Sequence, residues 1–307
     1  MAILLSPSGT FRGRDPWVFF HEGYFYHVFS LLDGVAIAKA DTIDTLKDAE
    51  PIQVYTAEPG KPWSQQLWAP ELHMVDGKCY IYLACDDGDN FNHRIYVLKN
   101  DSSDPLAPYT LHGQVKDSTN KWAIDGTLLH LNGNLYMVWS GWEGDVNVAQ
   151  NLYIAQMSDP CTLCSERVLI SAPDEEWERR GADATHPFIN EGPVVLQKND
   201  KTYILYSASG SWCNDYCLGM LTYVGGDPMT KAAWKKSDGP VFQKTEQVKG
   251  PGHCSVASDG KTDYLCYHAF DSDCSGKWKS AHAVAQAFTW DGDTPIFGSP
   301  EYIPLDN

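Results

Sequence analysis

Basic residues, helical periodicity and long apolar runs are all scarce in this 307-residue chain. No apolar run approaches the roughly 18 residues that a membrane-crossing helix needs, so a soluble protein is expected and a membrane partner is not. Lys and Arg number 23 against 40 Asp and Glu, and the formal charge of -17 repels phosphate backbones and anionic lipid. Nucleic acid is therefore not an expected partner, whereas a neutral ligand such as a sugar is compatible with that charge. Helical periodicity is confined to residues 42–48, which disfavours a barrel of alternating strands and helices. The nine cysteines are an odd number, and neither Cys161-x-x-Cys164 nor Cys213-x-x-x-Cys217 has a second ligand pair nearby, so zinc is not expected. Cys79, Cys85 and Cys266 fall inside apolar strand patterns and read as core thiols. A signal peptide is also lacking, which leaves two expectations: a cytoplasmic protein, or a secreted one whose signal has been removed.

What the sequence has is a repeat. Asn190-Glu191-Gly192-Pro193 opens an apolar strand that turns through Asn199-Asp200 into an aromatic-rich one at 203–207. Four other segments follow the plan: Asp15-Pro16 with a turn at Glu22-Gly23, Ala69-Pro70-Glu71 with Asp76-Gly77, Asp125-Gly126 with Asn132-Gly133, and Gly252-His253 with Asp259-Gly260. Asn-Gly and Asp-Gly accept the positive φ of a two-residue turn, so each copy reads as a β-hairpin. Asp15, Glu71, Asp125, Glu191 and His253 mark the copies and recur about every 60 residues, a period that belongs to propellers or arrays. A third strand follows each hairpin, and a fourth is readable at 52–55 after the first. The expectation is an all-β, five-bladed β-propeller forming one domain over residues 1–307. The charge cluster at 174–180 reads as solvated surface.

The start of each innermost propeller strand faces the central axis, so the geometry converges Asp15, Asp125 and Glu191 from distant positions. Carboxyls crowded in one pocket cannot all ionise, and one of them keeps its proton near neutrality. Cleavage of a glycosidic bond needs this: one carboxyl protonates the leaving oxygen while another activates water or attacks the anomeric carbon. Trp17, Trp68, Trp139 and Trp142 offer flat faces for stacking on sugars, although Trp17 and Trp139 lie within predicted strands and read equally well as packing.

Arg14-Asp15-Pro16, Trp68-Ala69-Pro70-Glu71, Ile124-Asp125-Gly126, Glu191-Gly192-Pro193 and Gly250-Pro251-Gly252-His253 together resemble glycoside hydrolase family 43, five-bladed propeller enzymes acting on arabinofuranosides and xylosides. Residues 211–219 and 288–298 look most like its exo-acting α-L-arabinofuranosidases. The resemblance implies that Asp15 is the general base, Glu191 the general acid and Asp125 the carboxylate that orients the acid and raises its pKa. It implies that Arg14, Trp68, Trp142 and His253 contact substrate, and that His253 sits beside a calcium ion or a water in the central channel. The family inverts configuration, which separates acid and base by about 6.5–9.5 Å. Glu71 and Cys254 depart from the common Asp and Asn, and Ala283-Val284 stands where an arginine is expected near the pocket.

The implied activity is release of terminal L-arabinofuranose, with arabinose- or xylose-containing plant polysaccharides and oligosaccharides as partners. A β-xylosidase on the same scaffold is the rival enzyme. A non-catalytic carbohydrate-binding propeller is the rival class, and it predicts loss of one of the three carboxyls, all of which are present. Retaining fructosidase propellers are excluded by the missing Asn-Asp-Pro-Asn motif.

Overall fold

In a computed structural model that describes residues 2–6, 10–274 and 280–303, the chain forms five successive four-stranded antiparallel blades. Blade one is Trp17–His21, Tyr24–Ser30, Gly34–Ala40 and Ile52–Thr56. Blade two is Gln65–Val75, Lys78–Asp86, Arg94–Asn100 and Thr110–Gln114. Blade three is Ala123–Leu131, Asn134–Gly141, Ala149–Asp159 and Val168–Ser171. Blade four is Phe188–Lys198, Lys201–Ala208, Cys217–Tyr223 and Trp234–Lys236. A short parallel bridge, Ala149 to Phe188 and Gln150 to Ile189, joins these last two.

Blade five is built from Lys249–Ser258, Asp263–Phe270 and His282–Asp291, with the short Thr294–Ile296 paired to the end of the last. Its outer strand comes from the other end of the chain, Ile3–Ser6, with Ile3 opposite Ala285 and Leu4 opposite Val284. The ring is thus closed by strand pairing, a feature the hairpin signals do not announce.

Turn chemistry sets the hairpins. Glu22 and Gly23 (φ 48 and 86), Asp76 and Gly77 (49 and 71) and Asn132 and Gly133 (53 and 75) hold both central residues at positive φ, as a tight turn matching strand twist requires. The longest helical stretch among the described residues is a 3-10 helix at Ile43–Asp48 that buries Ile43 and Leu46. Alternating apolar residues on each blade pack against the next blade, so the core is a series of layers between neighbours. Val28, Ile37 and Val54 of blade one meet Leu72, Ile81 and Leu98 of blade two, and Leu5 joins Val18 and Phe25 to Cys266, Ala283 and Ala285 where blade five meets blade one. Cys79, Cys85 and Cys266 lie in these layers, 0–2% exposed, and all nine cysteines are free thiols.

Candidate active site

Each innermost strand kinks near its start. The ladder slips between Trp68 and Glu71, Ile124 and Thr127, Glu191 and Val194, and Gly252 and Ser255. One residue per blade takes the left-handed backbone there: Asp15 (φ 47), Ala69 (42), Asp125 (55), Gly192 (54) and His253 (45). Two residues on, Trp17, Glu71, Thr127, Val194 and Ser255 pair with Val28, Tyr82, Val138, Leu205 and Cys266, so the five kinks are equivalent. A bulge re-aims the side chains around it and stores strain at the point of use.

This register corrects the sequence markers. Glu71 lies two residues after the kink and Glu191 one before it, so the five polar residues do not share a position. Asp15, Asp125 and His253 sit at the left-handed positions, while Arg14, Trp68 and Glu191 sit immediately before them. Glu71, 2% exposed, belongs below the cluster. Burial raises its pKa well above the usual range despite a hydrogen bond from Thr127, and its Oε2 lies 3.2 Å from His73 Nε2.

The structure brings Asp15, Asp125, Glu191 and His253 together. Asp15 Oδ1 stands 3.1 Å from His268 Nδ1, 3.4 Å from His253 Nδ1 and 3.9 Å from Arg14 Nε. Burial alone would raise its pKa, but His253, Arg14 and His268 outweigh that and hold the carboxyl well below its usual range. Glu191 behaves oppositely: burial and the neighbouring charge of Asp125 push it up to about 7, against the opposing pull of His253 and of Tyr216, whose hydroxyl donates to Oε1 at 2.8 Å. Asp125 is 3% exposed and also shifted upward by burial, while its Oδ2 accepts the Gly192 N–H at 2.9 Å. That bond ties Asp125 to the backbone beside Glu191. The pKa of the His253 imidazole is raised by Asp15, Asp125 and Glu191 in spite of its burial.

Second-strand residues lock the cluster across blade boundaries. Ser140, Ser207 and His268 occupy one register, opposite Ile124, Glu191 and Gly252. Ser140 Oγ donates to Asn190 O at 2.9 Å, Ser207 Oγ accepts the His253 N–H at 2.7 Å, and His268 Nδ1 lies 3.3 Å from the Asp15 backbone nitrogen, which donates to it. Burial holds His268 down to about 4, so it works as a neutral imidazole. Tyr216 stacks on it at 5.5 Å between centroids.

The charge cluster at 174–180 is exposed as expected at Asp174, Glu175, Glu176, Arg179 and Arg180, and Glu178 is the exception. Glu178 is fully buried and accepts from Tyr206 Oη (2.8 Å), Asn190 Nδ2 (3.1 Å), Glu175 N (2.9 Å) and Lys236 Nζ (2.7 Å). It anchors the residue that precedes Glu191 and is not solvated surface. Sequence reasoning singled out none of Tyr216, His268, Ser207 and Glu178. The partners of Tyr216, Ser207 and His268 named here lie 25 or more residues away, and each residue type is ordinary in a strand or loop.

The aromatics divide. Trp68 is 36% exposed at the kink, whereas Trp142 is 2% exposed, stacked on Trp122 at 4.8 Å with Phe91 edge-on at 5.5 Å. Trp142 therefore packs behind the site and has no free face for a sugar. Trp17 donates its indole N–H to Leu72 O at 2.9 Å, and Trp139 is 4% exposed, so both are packing residues. Among the described residues no three of His, Cys, Asp and Glu are grouped to hold a metal ion. His253 turns Nδ1 toward Asp15 and offers only nitrogen, whereas calcium takes oxygen ligands, so His253 would stand beside such an ion rather than ligate it. A cleft of about 480 Å³ between the outer strands of blades one and two shares no residue with the cluster.

Comparison with known proteins agrees with this geometry. The family described as Glycosyl hydrolases family 43 matches residues 5–295. An extracellular exo-alpha-(1->5)-L-arabinofuranosidase of Streptomyces avermitilis is 34% identical, over 96% of this chain and 64% of that protein. Alpha-L-arabinofuranosidase 43 of Humicola insolens is 33% identical, over 93% of this chain and 61% of its own length. The chain thus spans a little under two thirds of either relative. The crystal structure of an alpha-L-arabinofuranosidase from Lactobacillus brevis superposes with a TM-score of 0.86 at 33% identity, covering 95% of this chain and 96% of that one.

Proposed function

Because the chain belongs to glycosyl hydrolase family 43, we propose that its carboxylate cluster releases terminal α-L-arabinofuranosyl residues from arabinan, arabino-oligosaccharides or arabinoxylan, with inversion at the anomeric carbon. One observation carries this reading: in a single cluster Asp15 is held ionised while Glu191 is pushed up to about 7. Two carboxyls whose surroundings drive their proton affinities apart are an acid and a base awaiting a substrate.

The reaction follows from those states. Asp15 accepts a proton from a water as its oxygen attacks the anomeric carbon, and Glu191 gives its proton to the glycosidic oxygen as that bond breaks. Asp125 keeps the acid protonated through its charge and fixes the backbone beside it through Gly192 N–H. Arg14, 3.9 Å from Asp15, supports the ionised base through its charge. The substrate is uncharged, in keeping with the net charge of -17. Two of the similar arabinofuranosidases are named as extracellular, and we infer the same location for this protein, where plant polysaccharides are met.

The test is hydrolysis of aryl α-L-arabinofuranoside and aryl β-D-xyloside by the wild type, Asp15→Ala and Glu191→Ala. The expected outcome is arabinofuranosidase activity that falls by about 10²-fold or more in both variants. Cleavage of the xyloside alone would replace the substrate with the rival pentoside, and activity surviving Glu191→Ala would remove that residue as the acid. Proton NMR of the first-formed anomer checks inversion independently.

A further inference from the structure

Trp68 shares its register with Glu191 and Arg14, one residue before the kink, and is partly exposed there. Its indole lies on the imidazole of His93, with centroids 3.9 Å apart and planes at 27°. His93 is fully buried, with Asp86 close to one ring nitrogen outside hydrogen-bond geometry and Gln66 bonded at the other. Nδ1 stands 2.6 Å from Asp86 Oδ2, and Nε2 lies 3.1 Å from the Gln66 carbonyl oxygen. A carbonyl only accepts, so Nε2 carries a proton and the contact fixes the imidazole's orientation. The other oxygen of Asp86 accepts the Gly88 N–H at 2.8 Å, which fixes the carboxyl in turn.

Gln66 is itself left-handed at φ 48, a conformation that costs a non-glycine residue free energy and persists only where the surroundings enforce it. It stands two residues before Trp68. His93 therefore controls one platform in two ways: its ring supports the indole, and its N–H holds the strained backbone leading to it. Packing alone does not call for this pair. A leucine or phenylalanine would fill the space without the desolvation that drives Asp86 up and His93 down to about 4.

We propose that the Asp86–His93 pair is a positioning device that presents Trp68 to the sugar at the mouth of the site, and that it sets substrate affinity rather than the rate of bond cleavage. The proposal rests on the glycosidase reading above. Stacking on an aromatic face holds substrate and transition state alike, so its loss appears in KM and leaves kcat in place.

The experiment is steady-state kinetics on arabinotriose with wild type, Trp68→Ala, His93→Ala and the double variant. Each single change is expected to raise KM about tenfold with kcat within about twofold, and the double variant to be no worse than Trp68→Ala alone. Additive KM effects, or a kcat loss at unchanged KM, would overturn the proposal. Should His93→Ala fail to fold, Asp86→Asn keeps the shape of the carboxyl and removes its charge. It is expected to raise KM alone, and an unchanged KM would sink the role of the pair. A wild type that cleaves neither pentoside defeats the functional reading instead. Quenching of intrinsic fluorescence by arabinotriose or xylotriose then decides the platform without turnover: quenching in the wild type that weakens in His93→Ala sustains it, and anything else overturns it.

Discussion

Proton affinity at this site is set residue by residue, and the pH profile of kcat/KM reads it out. Glu191 must be protonated to act, so the alkaline limb is expected to fall near pH 7. The acid limb follows Asp15, held below the usual carboxylate range, so activity should persist into moderately acid solution. The neighbours give signed predictions. Asp125 raises Glu191 by its charge, so Asp125→Asn is expected to move the alkaline limb to lower pH and to cost about 10²-fold in rate. Tyr216 donates to the ionised form and lowers Glu191, so Tyr216→Phe is expected to move the same limb to higher pH. A limb that neither substitution moves would mean that it reports another group. Asp15, Asp125 and Glu191 were legible in the sequence because a carboxylate beside Pro or Gly recurs at strand openings. Trp142 was misread because flatness and proximity say nothing of which faces are covered, and His268 was missed because its role exists only across a blade boundary.

At the scale of the element, the kink matters more than the strand. Gly192 takes φ 54, and a Cβ built there would come within 3.2 Å of His253 Nδ1. Gly192→Ala is expected to cost roughly 1–3 kcal/mol in a thermal or urea melt, and to lower kcat by disturbing both His253 and the N–H that Asp125 accepts. A variant that kept full activity and full stability would show that the bulge tolerates rearrangement. The hairpins on which the kinks stand were readable from Asn-Gly and Asp-Gly turns, and a third strand follows as expected, at Cys217–Tyr223 in blade four. The kink itself was not readable. Moving Glu191 one place and Glu71 two relative to Asp15 leaves the alternation of apolar residues unchanged, so periodicity carries no trace of the offset. Nor did composition separate Glu178, fully satisfied beneath the acid's strand, from the charged neighbours that surround it in sequence.

For the whole molecule, the repeat length gave five units, but the seam between the last and the first was hidden. Ile3–Ser6 is a short apolar strand without a turn to tie it to residues 283–285. Leu5 is fully buried in the layer that the seam closes, so Leu5→Ala is expected to cost about 2–5 kcal/mol and to lower the melting temperature. The base is held across this same boundary: His253 and His268 reach Asp15, and Ser255 Oγ donates to Pro16 O at 2.7 Å and accepts the Val18 N–H at 2.9 Å. On warming, Leu5→Ala should therefore lose activity at a lower temperature than it loses its sheet signal in circular dichroism, and coincident losses would show that the seam and the site melt together.

That boundary also orders events in time. A ribosome makes Asp15 253 residues before His268, so the carboxylate exists long before the surroundings that keep it ionised. A growing chain with four blades complete holds Asp15, Asp125 and Glu191 and still lacks His253 and His268. The surroundings of Asp15 are finished in one step, when blade five meets blade one.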